Sequence, residues 1–243
     1  ILAIILLKTL ALKYGLFVLK GIPLVGGVSI AQAFIFGSLS GCFLFHLPLK
    51  AIIGIVFSSA IMLVFGLFDD HKELSIKTKL LIQIIAASVL ILSGIRTKII
   101  YIGDLSNIII TLAWIIGITN AFNHLDIMDG LAAGVAVIVS GAFLTISFLN
   151  QDIQTSILIL ALLSAIPGFL IYNFPPAKIY LGNSGSHFLG FVLSAIAITV
   201  DYASLESKIA LFSPILILGL PIFDTFFVSA LRLKKGILPF KIG

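Results

Sequence analysis

The chain has 243 residues, 60% of them hydrophobic, with 15 Lys or Arg against 10 Asp or Glu and a net charge of +5. So few charges, at a mean hydropathy of +1.25, exclude an ordinary soluble globular surface, and the basic residues are scattered over separate loops rather than gathered into a nucleic-acid-binding face. The single cysteine, Cys42, excludes an internal disulfide and reads as packing.

In chain order, apolar windows predict a tilted or partial segment near 1–19, then spans near 28–47, 51–68 and 78–95. Further spans follow near 107–122, 131–149, 155–172, 187–202 and 209–231. The runs are continuously apolar, without the alternation of a barrel strand, so helix is predicted throughout. The expectation is an all-α polytopic membrane bundle of eight or nine spans, one integral-membrane domain covering 1–243. The sequence opens at Ile1 in mid-run and ends at Gly243 in a loop-like stretch, so both ends are expected to be cut from a longer chain.

Five polar islands interrupt the apolar runs: 23–27, 68–74, 120–131, 174–186 and 223–235. Alternate crossing places all five on one side. That side also collects Lys20, Lys72, Lys77, Lys79, Lys178, Arg232, Lys234, Lys235 and Lys241, against Lys50, Arg96, Lys98 and Lys208 opposite. The excess of positive charge assigns the islands to the cytoplasm.

Asp69 and Asp70 close a span. Adjacent carboxylates disfavour each other's ionisation, which calls for a divalent metal or a basic partner; a solvated helix end is the plain alternative. Asn120, Asn123, Asp126 and Asp129 recur every three residues. On one helix they would form a polar stripe of two amides and two carboxylates, costly between apolar spans unless it faces a ligand or a wet cleft. Gly182, Asn183, Ser184, Gly185 and Ser186 precede a span, as a loop whose backbone N–H groups can cradle phosphate at a helix N-terminus, although such turns are common. Asp224 lies too deep to face lipid and is expected in the bundle interior, structural pairing being the alternative. His71 and His124 fall in islands and His187 directly follows one, but the three lack zinc-ligand spacing.

Taken in order, the islands resemble the polyprenyl-phosphate N-acetylhexosamine-1-phosphate transferases, the MraY/WecA/TagO superfamily. The matching motifs are Pro23-Leu24-Val25-Gly26-Gly27, Asp69-Asp70, Asn120 to Leu131, and Pro176 to Ser186, with Pro221 to Asp224 and Arg232 following. The text around Asn120 and Gly182 is closer to the WecA/TagO branch, which implies UDP-N-acetylglucosamine as donor. The resemblance implies transfer of N-acetylhexosamine 1-phosphate from a UDP-sugar to a polyprenyl phosphate in the cytoplasmic membrane, releasing UMP for cell-envelope glycan synthesis. It implies catalytic roles for Asp69, Asp70, Asp126 and Asp129. Substrate contacts are implied at Asn120, Asn123, Lys79, Lys178, Gly182, Ser184, Gly185 and Ser186. A Mg²⁺ ion, or Mn²⁺ in its place, is implied on Asp69, Asp70 and Asn183. The partners are the UDP-sugar, the lipid phosphate and the bilayer, with no nucleic acid; a homodimer is compatible.

Three features depart from the family pattern. Asn183 stands where the family has aspartate, the histidine-rich cytoplasmic loop is not in the sequence, and the basic loop before Pro23 is short. A catalytically silent homologue that binds lipid phosphate or nucleotide-sugar is therefore a second reading. A cation-coupled transporter using Asp126, Asp129 and Asp224 is a third, disfavoured by acids at helix ends and the lack of a repeat.

Overall fold

In a computed structural model, residues 1–100, 102–202 and 212–236 are described. They form ten α-helices and one small hairpin. The helix α1 (Leu2–Tyr14) leads into strands β1 (Val18–Leu19) and β2 (Ile22–Pro23), and α2 (Gly26–Leu44) follows at once. The hairpin was not foreseen. Lys20 and Gly21 both adopt positive φ, the two-residue turn that matches the twist of paired strands.

Next come α3 (Leu49–His71), α4 (Ile76–Leu92), α5 (Gly103–Leu125), α6 (Leu131–Leu149), α7 (Ile153–Asn173) and α8 (Gly182–Thr199). Five of the described helices, α2, α3, α5, α6 and α7, are long and apolar enough to cross a membrane. Their outward side chains are large and apolar, among them Phe36, Phe57, Ile138 and Phe148. Such a surface is tolerable in lipid and not in water.

The predicted last span, 209–231, is not one helix. Among the described residues it is a single-turn α9 (Ser213–Ile217) and α10 (Gly219–Lys234), broken at Leu218. Leu218-Gly219 sits where the apolar run continues, so hydropathy carries no sign of the break. Residues 203–211, including Lys208, lie outside the described part, as does Lys241.

The centre of the bundle is α8, buried along most of its length against α2, α3, α5, α6 and α7. Small residues set how closely its neighbours approach. A Cβ at Gly27 would overlap the backbone of Gly185, and one at Gly66 the backbone of Ser184. The glycines of α2 and α3 thus bring two helix backbones against the first turn of α8. That turn becomes the floor of the polar site.

Candidate active site

Four of the polar islands meet at the start of α8, and the fifth, on α10, lies against α5. Pro23 and the first residues of α2 are tied to the stretch before α8: Tyr180 N donates to Pro23 O at 2.8 Å, Gly26 N to Tyr180 O at 3.0 Å and Gly27 N to Leu181 O at 3.1 Å. Pro23 has no N–H to offer, so its carbonyl and the two glycine amides make the contacts.

The two aspartates at the end of α3 diverge. The Asp69 side chain is wholly enclosed; it accepts Lys79 Nζ at 2.6 Å and Leu74 N at 2.8 Å. Asp70 instead reaches across to α8, accepting Asn183 N at 2.7 Å and Ser184 N at 3.0 Å. These amides are the second and third of the helix, the donors that an N-cap satisfies. Asp70 therefore caps α8 from another helix. Gly182 permits this: its φ is +75°, and a Cβ there would lie 2.8 Å from Asp70 Oδ2. The turn expected to cradle phosphate already holds an anion, the carboxylate of Asp70. Ser184 and Ser186 are buried beneath it.

The expected stripe is divided, because α5 stops at Leu125. Asn120 and Asn123 are on the helix and Asp126 and Asp129 are in the turn beyond. Asn120 exchanges hydrogen bonds with Gln83 of α4, at 2.9 and 3.2 Å, and donates to Ile116 O at 2.8 Å. Asn123 Nδ2 donates to Asn183 Oδ1 and to Ser186 Oγ, both at 2.9 Å. These amides tie α5 to α4 and α8.

Beyond them the turn is closed by Asn173, whose Oδ1 accepts Gly130 N at 2.8 Å and whose Nδ2 donates to Ile179 O at 3.0 Å. Asp129 is exposed and accepts Ala177 N at 3.3 Å. Asp126 is half-buried and accepts no hydrogen bond from the described residues. Desolvation, then the charges of Asp70 and Asp129, push its carboxyl up to about 7. The charges of Asp70 and Asp129 thus reach Asp126, and none of the three has an ion-pair partner among the described residues.

The histidines do not converge. His71 is exposed with its edge toward Phe17, while His187 is buried, its Nδ1 2.8 Å from Asn183 O and its ring edge-on to Phe65. His124 lies within electrostatic reach of Asp224 and Arg232 on α10. Asp224 is half-buried there, and Lys178 is exposed.

A family model for glycosyl transferase family 4 matches residues 52–201, which hold the aspartate pair, the Asn–Asp segment and the first turn of α8. The chain belongs to glycosyl transferase family 4. It is similar to a probable undecaprenyl-phosphate N-acetylglucosaminyl 1-phosphate transferase of Bacillus subtilis, 35% identical over 225 residues, covering 88% of this chain and 61% of that protein. A decaprenyl-phosphate N-acetylglucosaminephosphotransferase of Mycolicibacterium smegmatis is 32% identical over 210 residues, 75% of this chain and 52% of that one. A phospho-N-acetylmuramoyl-pentapeptide-transferase of Listeria monocytogenes is 40% identical over a shorter 93 residues, 38% of this chain and 29% of that protein. The chain thus spans between half and two thirds of the length of the first two relatives.

Within this family 4 chain, two residues that build the site escape the motifs. Gln83 sits in the apolar run of α4 and Asn173 ends α7, one residue before the proline-rich island. The only sequence signal for either is a lone amide in an apolar helix, which must find a partner or face a cavity.

The family 4 resemblance implies a divalent cation, and the donor chemistry here fits one. Among the described residues no three acidic, histidine or cysteine side chains form a ready-made cage. Magnesium does not need one: it takes one or two protein carboxylates and fills its shell with water and phosphate oxygens. Asp126 feels the charges of Asp70 and Asp129 and has no ion-pair partner among the described residues, so a cation there would supply the positive charge it lacks. Asn183 Oδ1 accepts from Asn123.

Proposed function

We propose that this chain is the membrane core of an enzyme that transfers N-acetylglucosamine 1-phosphate from its UDP derivative to a polyprenyl phosphate at the cytoplasmic face of the cell membrane, releasing UMP. The observation that carries this reading is the group Asp70, Asp126 and Asp129 at the meeting point of α3, the α5–α6 turn and α8. Carboxylates without basic partners at a membrane–water boundary are what a cation-assisted transfer between two phosphates requires. The relatives' names supply the reaction class and the lipid acceptor.

In this reading the phosphate oxygen of the lipid attacks the sugar-bearing phosphorus of the UDP-sugar. The bond from that phosphorus to the bridging oxygen breaks, and UMP leaves with the electron pair. Both reactants are anions, so alignment and charge neutralisation do most of the work. Asp126 and Asp70 would hold Mg²⁺, or Mn²⁺ in its place. When bound, the ion neutralises the pyrophosphate and stabilises the departing UMP. Asp129, anchored by Ala177 N, orients the nucleotide-sugar from the exposed side of the turn, with Lys178 close by in sequence on the same segment. Asn120, Asn123 and Ser186 act by fixing the helices that carry these groups, since their side-chain hydrogen bonds are already made within the protein, and Gly185 acts by its close packing on Gly27.

The test is UMP release from UDP-N-acetylglucosamine and polyprenyl phosphate by membranes containing the protein, with and without Mg²⁺. Release that needs both the lipid and the metal supports the reading. Binding of the UDP-sugar without any release would favour a silent homologue.

A further inference from the structure

Asp69 and Asp70 are neighbours in sequence, yet only one of them can meet a substrate. The Asp69 side chain has no exposed surface, and both its oxygens are engaged, one by Lys79 Nζ and one by Leu74 N. Lys79, the other half of the pair, keeps 19% of its side chain exposed. It lies in the first turn of α4, after the cap in which Ser75 Oγ accepts Thr78 N. A cation is disfavoured at that end of a helix, where the dipole is positive. Something must hold it there, and the short charge-assisted bond to Asp69 does so.

We propose that Asp69 is a positioning residue, which acts through Lys79 by fixing its ammonium at the rim of the site where an anionic phosphate approaches. An ammonium has three N–H donors and Asp69 accepts from only one, so Lys79 retains donors for a phosphate oxygen. Leu74 N fixes the other oxygen and thereby the turn between α3 and α4. The division of labour is then plain. Asp69 orients a cation for the substrate, and Asp70 belongs to the carboxylate group at α8. The role rests on the transferase reading above, because the phosphate it serves is that of the proposed substrates.

The experiment is a double-mutant cycle in the full chain, with Asp69→Asn, Lys79→Met and the two combined. UMP release is measured against polyprenyl phosphate concentration, and thermal unfolding is followed in the same detergent. If Asp69 acts through Lys79, each single variant raises KM for the lipid phosphate about tenfold while kcat changes less than about threefold. The combined variant is then no worse than Lys79→Met alone. Asp69→Asn leaves the half-buried Lys79 ammonium without its partner and is expected to melt early, whereas the combined variant removes both charges and recovers the melting temperature while keeping the raised KM. That recovery keeps the test decisive when the single variant folds poorly. A fall in kcat of about a hundredfold or more in Asp69→Asn at unchanged KM, or effects that multiply in the combined variant, would overturn the role. Those results leave an active wild type and so spare the transferase reading. A wild type that releases no UMP overturns that reading and this role with it.

Discussion

Replacing Asp70 separates its structural role from its electrostatic one. Its carboxylate satisfies the second and third N–H groups of α8 at 2.7 and 3.0 Å. Losing an N-cap costs about 1 kcal/mol, within a range of ~0.5–2. Losing a negative charge at a helix N-terminus costs about 0.3–1 kcal/mol more, and up to ~2 where the site is partly buried. The opposing effects are relief of desolvation of the partly buried carboxylate and relief of repulsion. Towards Asp69 this relief is small, because Lys79 already neutralises that carboxylate at 2.6 Å. Towards Asp126 it depends on pH, and it vanishes when Asp126 is protonated. At pH 6, below the value of about 7 for Asp126, the cap term dominates. Asp70→Ala should then be less stable by about 1.5–3 kcal/mol. Asp70→Asn, which keeps one carbonyl oxygen as acceptor, should lose roughly half as much. The assay is thermal unfolding of the detergent-purified protein, where each kcal/mol moves the midpoint by about 2–4 °C. If Asp70→Ala unfolded at the wild-type temperature at pH 6, capping across helices would not be its role.

Gly66→Ala should abolish accumulation of folded protein, measured as monodisperse yield, because its Cβ meets backbone of Ser184 rather than a side chain that can yield. Asp126 makes stability depend on pH with a definite sign. Its carboxyl rises from the ordinary 3.8 to about 7, so the folded state binds more protons between those values and metal-free stability falls as pH rises through them. Asp126→Asn should flatten that slope in a melting series from pH 4 to 8, and so should a bound divalent cation. Asn183→Asp should strengthen Mn²⁺ binding measured by electron paramagnetic resonance, since either carboxylate oxygen can accept from Asn123 and leave the other for the ion. On a background with Cys42 replaced, cysteines at the exposed positions His71, Met128 and Lys178 should label from the cytoplasm and one at Lys50 from the opposite side. Labelling of the first three from different sides would break the shared site.

The sequence made the convergence of the islands legible through span alternation alone, because alternate helix ends must meet on one face. Local helix ends were less so. The spacing of Asn120, Asn123, Asp126 and Asp129 reads as one helical stripe, but Asn173 captures Gly130 N and α5 stops before Asp126. That bond links residues far apart in sequence, and no local pattern encodes it. Partner choice was likewise hidden. Asp69 and Asp70 look equivalent, and only the packing of α3 on α4 and α8 sends one to Lys79 and the other to the first turn of α8. The break at Leu218 lies in apolar text, where hydropathy sees a single span. Position 183 departs from the family pattern, and its bond to Asn123 joins two islands far apart in sequence.

The most direct test of the carboxylate group as the reacting centre follows the phosphorus itself. UDP-N-acetylglucosamine labelled in the sugar-bearing phosphate is given to the wild type and to Asp126→Asn, with polyprenyl phosphate and Mg²⁺. Wild type should move the label into the lipid fraction while releasing unlabelled UMP, and Asp126→Asn should do so at least about a hundredfold more slowly at equal folded protein. Equal transfer by both proteins, or label retained in the water-soluble fraction by the wild type, would contradict it.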